Sequence, residues 1–312
     1  MGKIAFLFSG QGAQYLGMGI DLFKNMDVCK KIFQDADDTL GFSISNICFE
    51  GPEEDLNRTE NTQPAILTTS IAALRALESF DIKADITAGL SLGEYSALVC
   101  SGIIGFKEAV ALVKKRGKYM QEAVPEGMGT MAAIMGLNYS DVEKICNDCS
   151  YLGTVELSNI NCPGQVVIGG EIEAVKAACS IAKDNGALKV VELTVSGPFH
   201  TSMLKTAAEK LEKELKNVYM GQCSIPVVTN VTGEIVQKVQ DIKPYLKKQV
   251  MSTVLFEKSI NTMMEFGVDT FVEIGPGRVL SGFVKKVNRK VLTLNVQDIK
   301  SLNSTVEKLK NR

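Results

Sequence analysis

A Gly-Leu-Ser-Leu-Gly pentapeptide at residues 89–93 constrains the fold of this 312-residue chain more than any other feature. The apolar run 86–88 before it is typical of the end of a buried strand, and helical periodicity follows from Leu92 to Cys100. G-x-S-x-G between strand and helix is the sequence form of a nucleophile elbow, a tight turn in which both glycines let backbone approach backbone. The motif therefore predicts an α/β architecture that presents Ser91 on a turn after a buried strand.

The chain contains a single histidine, His200. A serine hydroxyl is a weak nucleophile at neutral pH and needs a neighbouring base, for which imidazole has a suitable pKa. If an imidazole activates Ser91, it must be that of His200. Two structural alternatives stay open: Ser91 and Glu94 have the spacing of a capping box, and a lone histidine is more often structural than catalytic. The loop 196–199 before His200 is a favourable place for a functional side chain.

Size and charge exclude several classes of protein. At 33.8 kDa the chain exceeds the usual size of a single core, which favours a large domain with a smaller partner. A formal charge of −2 argues against nucleic-acid binding, which needs a concentrated basic surface. No segment approaches the roughly 18 apolar residues of a membrane span, and residues 1–7 do not resemble a signal peptide. We expect a cytoplasmic protein without nucleic-acid or membrane partners.

The eight cysteines are scattered along the chain, and we expect them to be reduced thiols that pack as small apolar residues. Only Cys146 and Cys149 have the C-x-x-C spacing of a metal or redox site. A zinc site would need a second pair of ligands, and neither another C-x-x-C nor a nearby histidine exists. We therefore expect no metal site.

Strands and helices alternate along most of the chain, which predicts a mostly parallel sheet covered on both faces. The glycine-rich loop 9–14 lacks the dinucleotide-binding and P-loop patterns, but its backbone N–H groups can point into a site. Strands are predicted at Lys3–Phe8, Ile86–Gly89, Ile225–Val228, Thr270–Ile274 and Val291–Asn295. Helices are predicted at Val28–Thr39, Pro64–Ser79, Leu92–Cys100, Lys107–Gln121, Thr201–Lys216 and Val254–Phe266.

Between residues 126 and 197 the order of elements changes to βαββαβ, the ferredoxin-like pattern. We therefore divide the chain into a core in two parts, 1–125 and 198–312, and an inserted subdomain, 126–197. Because the insert separates Ser91 from His200, we expect these two residues at a cleft between the two bodies.

Arg116 lies on the apolar side of the predicted helix Lys107–Gln121, three residues after Val113 and four before Met120. A buried guanidinium is costly unless it is paired, and it cannot lose its proton. Two interpretations stay open: a structural ion pair with a carboxylate, or a two-point clamp for a substrate carboxylate.

Taken together, these motifs resemble the malonyl-CoA:acyl carrier protein transacylase family over nearly the whole chain. The matching segments include the loop 10–14, the elbow continued through residue 98, and Arg116 at 25 residues after Ser91, together with residues 63–65, 120–125, 163–168 and 273–277. The chain departs from the family at Leu90, where histidine is most frequent; that histidine is not the base, so the mechanism is unaffected.

The resemblance implies an α/β-hydrolase-like core with the inserted ferredoxin-like subdomain. It also implies a role for each matching position. Ser91 matches the acylated nucleophile, His200 its base, and Gln249 the residue whose backbone carbonyl orients the imidazole. Gln11 and Leu92 match the backbone N–H donors of the oxyanion hole. Arg116 matches the clamp for the malonyl carboxylate.

The implied activity is transfer of a malonyl group from coenzyme A to the phosphopantetheine thiol of acyl carrier protein, in fatty acid biosynthesis. Malonyl-CoA is then a substrate, no cofactor is needed, and a monomer is expected. Two alternatives remain: a serine-dependent thioesterase or esterase with the same dyad, and a non-catalytic scaffold of this fold. The family's carrier protein is acidic, so basic residues near the mouth of the site are candidates for docking it: Lys285, Lys286, Arg289 and Lys290.

Overall fold

The computed structural model describes residues 2–125, 127–195 and 197–312, so Glu126 and Ser196 of the predicted insert lie outside the described residues. The strands are β1 (Lys3–Phe8), β2 (Ile86–Gly89), β3 (Gly129–Met135), β4 (Val155–Cys162), β5 (Gln165–Glu171), β6 (Lys189–Glu192), β7 (Val254–Leu255), β8 (Val268–Ile274) and β9 (Leu292–Val296).

The α-helices pack around two sheets. They are α1 (Ile20–Asn25), α2 (Asp27–Leu40), α3 (Ile44–Phe49), α4 (Glu53–Asn57), α5 (Thr59–Glu78), α6 (Gly93–Cys100), α7 (Phe106–Glu122), α8 (Tyr139–Cys149), α9 (Ile172–Asp184), α10 (Lys205–Lys216), α11 (Ile242–Gln249), α12 (Phe256–Glu265), α13 (Val279–Val287) and α14 (Ile299–Lys310). Short 3₁₀ helices lie at Ser150–Leu152, Ser202–Leu204 and Val239–Asp241.

The first sheet is parallel, with its strands in the order β2-β1-β8-β9. Successive residues of β1 enter two separate apolar cores: Phe6 and Phe8 pack in one, Ala5 and Leu7 in the other. Since neighbouring side chains of a strand point to opposite faces, both faces of this sheet are covered. The predicted mostly parallel sheet is confirmed.

The second sheet contains β6-β3-β5-β4 with antiparallel pairing, and α8 and α9 share its apolar core. This confirms the predicted βαββαβ pattern. The sheet also includes β7, which lies where the sequence predicts the start of a helix and which pairs in parallel with β4 at Asn159 and Ile160. The division into a core in two parts, 1–125 and 198–312, and an inserted subdomain, 126–197, stays a prediction. Strand β7 belongs to the second part of the core but forms the edge of the insert's sheet.

Two predicted elements are wrong in detail. Helix α5 begins at Thr59, five residues before the expected start, so Pro64 lies inside the helix. A proline there removes one backbone hydrogen bond, and the burial of nearly every side chain of α5 outweighs that loss. Residues 225–228 form no regular strand; Val227 makes only an isolated parallel bridge to Thr87.

Candidate active site

Ser91 lies in the turn between β2 and α6, with a positive φ of 51°. The two glycines of the motif explain how this turn closes. A Cβ on Gly89 would lie 2.0 Å from the carbonyl carbon of Gly93, and a Cβ on Gly93 would lie 2.1 Å from the backbone oxygen of Phe8. No larger residue fits at either position, so the spacing of the motif follows from backbone contact.

The glycine-rich loop after β1 packs against this elbow. A Cβ on Gly10 would lie 2.5 Å from the backbone oxygen of Leu90. Since β1 and β2 are parallel neighbours, their carboxyl ends lie at the same edge of the sheet. In the described part of the chain, the backbone N–H groups of Gln11 and Leu92 are not donors in any intramolecular hydrogen bond. Both therefore remain available to a bound oxygen atom.

His200 bridges Ser91 and Gln249. Its Nε2 is 2.7 Å from Ser91 Oγ, and its Nδ1 is 2.7 Å from the backbone oxygen of Gln249. A carbonyl oxygen can only accept a hydrogen bond, so Nδ1 carries the proton and Nε2 presents its lone pair to the serine hydroxyl. Burial lowers the pKa of His200 to about 4, and the positive charge of Arg116 adds to this shift. The imidazole is therefore neutral at physiological pH, as a base must be.

Arg116 is buried on α7 with 1% of its surface exposed. Its Nη1 donates to Gln63 Oε1 at 2.8 Å, and its Nη2 donates to Gln249 Oε1 at 2.9 Å and to Ser91 Oγ at 3.2 Å. The guanidinium also lies 5.3 Å from the centre of the Tyr95 ring. Among the described residues no carboxylate is within ion-pair distance of Arg116, so the structural ion pair considered above is absent.

The capping-box alternative for Ser91 is wrong. Helix α6 has no side-chain cap, and the Ser91 backbone N–H donates to Asn230 Oδ1 at 2.6 Å. Glu94 bonds residues of other segments instead. Its Oε2 accepts from the Asn230 backbone N–H at 3.0 Å and from Gln249 Nε2 at 2.7 Å. The side chains of Ser91 and Glu94, which a local capping box would use, thus bond residues that are distant in sequence.

The sequence predicts no catalytic or binding role for three residues that surround the site: Gln63, Glu94 and Asn230. Glu94 had a signal, since it is the one charged residue in the largely apolar run from Leu92 to Cys100. Gln63 and Asn230 had none, because buried amides are recognisable only by the atoms they face. Gln63 reaches Arg116 because α5 and α7 pack closely: a Cβ on Gly117 would lie 2.5 Å from the backbone oxygen of Thr59.

The C-x-x-C pair lies on α8 with both thiols buried and free. Burial raises the pKa of Cys146 to about 12, so this thiol is protonated and unreactive. Among the described residues, no group of three or more His, Cys, Asp or Glu side chains is arranged to hold a metal ion. Of the helices in the described ranges, none combines the length and hydrophobicity needed to cross a membrane.

The basic residues considered for docking differ in their environments. Lys285 donates to the backbone oxygens of Arg289 and Val291, so its ammonium is already used within the chain. Lys286 is exposed and contacts Gln165 of the second sheet at 3.2 Å. Arg289 and Lys290 are exposed just before β9, at the amino edge of the parallel sheet, whereas the elbow lies at its carboxyl edge. The expectation that these two charges surround the mouth of the site is therefore wrong.

The chain matches the acyl transferase domain family over residues 5–308. It is 47% identical to the malonyl CoA-acyl carrier protein transacylase of Bacillus subtilis (strain 168), over 99% of this chain and 98% of that protein. The crystal structure of malonyl CoA-acyl carrier protein transacylase from Clostridium perfringens ATCC 13124 is 49% identical, with a TM-score of 0.97, covering 99% of this chain and 98% of that one.

A malonyl-transacylase solved in complex with its type II PKS acyl-carrier protein is 42% identical, with a TM-score of 0.95, covering 98% of this chain and 99% of that one. All these matches extend over both sheets, so the similarity is not confined to one part of the chain.

Proposed function

The chain belongs to the malonyl CoA-acyl carrier protein transacylase family, and from this premise we propose that it transfers a malonyl group from coenzyme A to the phosphopantetheine thiol of acyl carrier protein. One observation carries the proposal: Ser91 Oγ contacts both His200 Nε2 and Arg116 Nη2. A nucleophile between a neutral base and a buried cation is suited to an acyl group that carries a carboxylate.

In the first half-reaction, His200 Nε2 removes the hydroxyl proton of Ser91 while Ser91 Oγ attacks the thioester carbonyl. The carbonyl oxygen becomes an oxyanion, for which we assign the backbone N–H groups of Gln11 and Leu92 as donors. When the tetrahedral intermediate collapses, the carbon–sulfur bond breaks and His200 protonates the departing thiolate of coenzyme A. A malonyl ester remains on Ser91.

The second half-reaction runs the same steps in reverse order. The phosphopantetheine thiol gives its proton to His200, and its sulfur attacks the ester carbonyl. Collapse of the second intermediate breaks the bond to Ser91 Oγ, which recovers the proton from His200. The backbone oxygen of Gln249 keeps the imidazole in the required tautomer and orientation throughout.

We assign Arg116 to the malonyl carboxylate. In the free enzyme its two terminal nitrogens bind the neutral oxygens of Gln63, Gln249 and Ser91. A carboxylate is a stronger acceptor and can bind two guanidinium nitrogens at once, so it can replace these partners. This contact favours malonyl over acetyl groups.

The experiment that tests the proposal is the mass of the intact protein after incubation with malonyl-CoA alone. A substituted-enzyme mechanism forms the seryl ester before the carrier protein arrives, so we expect one malonyl adduct. Ser91→Ala should abolish it. Ser96→Ala is a matched control, since Ser96 lies nearby on α6 and its buried hydroxyl has no partner among the described residues. An equal adduct on the Ser91 variant would refute the assignment.

Adding holo carrier protein distinguishes a transferase from a hydrolase with the same dyad. We expect the malonyl group to move to the carrier thiol faster than it is lost to water. Free malonate as the main product would identify a thioesterase, and the absence of any adduct would favour a non-catalytic scaffold.

We further propose a monomeric cytoplasmic enzyme that uses no cofactor. The steps above are complete with a serine, an imidazole, backbone N–H groups and a guanidinium, so they need no metal ion or prosthetic group. Malonyl transfer is therefore expected to be unchanged after dialysis against EDTA.

A further inference from the structure

Glu94 is a buried carboxylate that the proposed reaction does not use. It lies on α6, three residues after Ser91, with none of its surface exposed. Its Oε2 accepts two hydrogen bonds, from Gln249 Nε2 and from the Asn230 backbone N–H, whereas its Oε1 has no partner among the described residues. Burying a carboxylate is unfavourable, so its place beside the nucleophile requires an explanation.

Gln249 is the residue through which Glu94 reaches the site. The side-chain oxygen of Gln249 accepts from Arg116 at 2.9 Å, and its side-chain nitrogen donates to the Ser91 backbone oxygen at 3.0 Å. Its backbone oxygen holds His200 Nδ1. Gln249 therefore contacts the nucleophile, the base and the proposed carboxylate clamp.

The orientation of the Gln249 amide follows from the charges on either side of it. Glu94 Oε2 already accepts from the Asn230 backbone N–H, and a guanidinium can only donate, so the amide turns its nitrogen to Glu94 Oε2 and its oxygen to Arg116. With Glu94 removed, the amide would keep Arg116, the Ser91 backbone oxygen and, at 3.5 Å, Asn230 Oδ1 as partners, but its nitrogen would lose its shortest hydrogen bond. Arg116 would then lose an acceptor of fixed position.

Asn230 provides a second connection from Glu94 to the elbow. Glu94 holds the Asn230 backbone, and the Asn230 side chain accepts from the Ser91 N–H at 2.6 Å and donates to the Gly89 backbone oxygen at 2.7 Å. These bonds span the turn in which Ser91 has its positive φ. Loss of the connection through Asn230 would affect the elbow whether or not the Gln249 side chain is present. An experiment can therefore separate it from the connection through Gln249.

We propose that Glu94 is a positioning residue that acts through Gln249: it orients the Gln249 amide, and thereby holds Arg116 in place, without touching the reacting atoms. The proposal rests on the proposed function for the identity of the acyl group that Arg116 binds.

The test is a double-mutant cycle of Glu94→Ala and Gln249→Ala. Gln249→Ala removes the side-chain amide but keeps the backbone carbonyl that holds His200. In the otherwise unchanged enzyme, Glu94→Ala should lower kcat/KM for malonyl-CoA by about 10- to 150-fold, the range for one hydrogen bond to a charged group. It should lower kcat/KM for acetyl-CoA less. In the Gln249→Ala background the same change should cost less than about threefold for either substrate.

Equal losses in both backgrounds would overturn the proposal, because they would mean that Glu94 acts through Asn230 or through packing. Near-normal activity of the single Glu94→Ala variant would overturn it as well. If Glu94→Ala does not fold, Glu94→Gln goes through the same cycle. It keeps one acceptor oxygen, so we expect a smaller loss that again disappears in the Gln249→Ala background.

Glu273→Gln is the matched control, since Glu273 is a buried carboxylate that accepts from the backbone N–H groups of Leu280 and Ser281 at the start of α13. We expect it to lower the melting temperature but to leave the ratio of malonyl to acetyl kcat/KM unchanged. A changed ratio would show that loss of any buried carboxylate perturbs the site, and would overturn the special role of Glu94.

A serine-directed fluorophosphonate separates this proposal from the proposed function. Its reaction with Ser91 needs an ordered elbow and base but no malonyl group. If the unchanged enzyme forms no malonyl adduct, the proposed function fails, yet the cycle can still be measured as rates of phosphonylation. Coupling between Glu94 and Gln249 in those rates would support the positioning role, and additive losses would overturn it.

Discussion

Arg116 is a buried cation whose hydrogen-bond partners are all neutral oxygens. Burial lowers the pKa of Arg116, but a guanidinium stays charged in proteins. Its desolvation is thus only partly offset in the free enzyme, and the site is prepared for an anionic group. This arrangement is unfavourable for stability and favourable for recognition of a carboxylate.

We predict that Arg116→Ala abolishes the preference for malonyl over acetyl thioesters. A hydrogen-bonded contact with a charged group is worth about 1.5–3 kcal/mol, or roughly 10- to 150-fold in kcat/KM. Steady-state kinetics should show that loss for malonyl-CoA, with acetyl-CoA spared or improved. Lysine should restore only part of the preference, because it keeps the charge but lacks the planar two-point geometry.

Arg75→Ala is the control, since Arg75 lies half-buried on α5 and pairs with Glu78 away from Ser91. It should change neither substrate's kinetics. If Arg116→Ala lowers malonyl and acetyl turnover equally, Arg116 has a structural role and the proposed specificity is wrong. The assignment of Ser91 and His200 would survive that result.

His200 allows a direct test of the proposed base, because it is the only imidazole in the chain. Its pKa is lowered from 6.5 to about 4 by burial and by Arg116. We predict that ¹⁵N NMR of histidine-labelled protein shows a neutral ring, protonated at Nδ1, from pH 8 down to about pH 5. Titration near pH 6.5 would contradict the buried geometry.

The same shift predicts a stability effect. Since the folded pKa of His200 lies below its unfolded value, its contribution is present above pH 6.5 and is lost as the pH falls towards 4. Glu94 acts in the opposite direction: burial raises its pKa to about 7, so its contribution is present below pH 4.5 and is lost as the pH rises through 7. Between pH 4.5 and 6.5 the two effects oppose each other.

At the scale of single elements, the elbow depends on contacts between backbones rather than on side-chain interactions. Strand β2 and helix α6 can join through so short a turn because Gly89 and Gly93 let their backbones touch, and because α6 packs onto the end of β1 at Phe8. The resulting turn places Ser91 beside the start of α6, where free N–H groups and the helix dipole favour an oxyanion.

We predict that Gly93→Ala lowers the free energy of unfolding by about 3 kcal/mol, the upper end of the usual cost of overpacking, because its Cβ would collide with backbone that cannot move independently. Urea denaturation measures this. Gly282→Ala on α13 is the control: a Cβ there has no atom within 4 Å, and alanine in a helix should stabilise by about 0.5–1 kcal/mol. Comparable stabilities of the two variants would contradict the proposed close contact.

At the scale of the whole molecule, the site combines residues from four distant segments. Ser91 and Arg116 precede strands β3–β6 of the second sheet along the chain, whereas His200 and Gln249 follow those four strands. Strand β7, only five residues after Gln249, pairs with β4 of that sheet. The position of Gln249 is therefore coupled to both sheets.

Docking of the carrier protein is a property of the whole surface. Lys286 differs from Lys290 in that it contacts the second sheet through Gln165, although both residues lie towards the amino edge of the parallel sheet. We predict that Lys286→Glu raises the KM for carrier protein at low salt, and that salt raises the KM of the unchanged enzyme, since charges are screened over about 8–10 Å at physiological ionic strength.

Lys290→Glu is the control for this prediction, because Lys290 is exposed in the loop between α13 and β9, whereas Lys286 contacts the second sheet. It should leave the KM for carrier protein unchanged. Equal effects of the two reversals, or a KM independent of salt, would remove Lys286 from the docking surface.

The sequence by itself determined the α/β class, the parallel sheet, the βαββαβ insert, and the candidates Ser91, His200 and Arg116. Each depends on local or periodic information: a motif of five residues, one histidine in the whole chain, and a charge on an apolar helix face. Short-range signals were less reliable where burial competed with them, as at Pro64 inside α5 and at the supposed cap formed by Ser91 and Glu94.

The tertiary structure alone decided which polar groups meet at the site. Gln63 and Asn230 carry no pattern that distinguishes them from ordinary buried residues, and the charge of Glu94 in an apolar helix does not say which atom it faces across the fold. The sequence also could not predict β7, which is too short to show a periodicity. Nor could it show that Lys290 and the elbow lie at opposite edges of the parallel sheet. Hydrogen bonds are directional and act over about 3 Å, so their partners are set by packing of distant segments rather than by spacing along the chain.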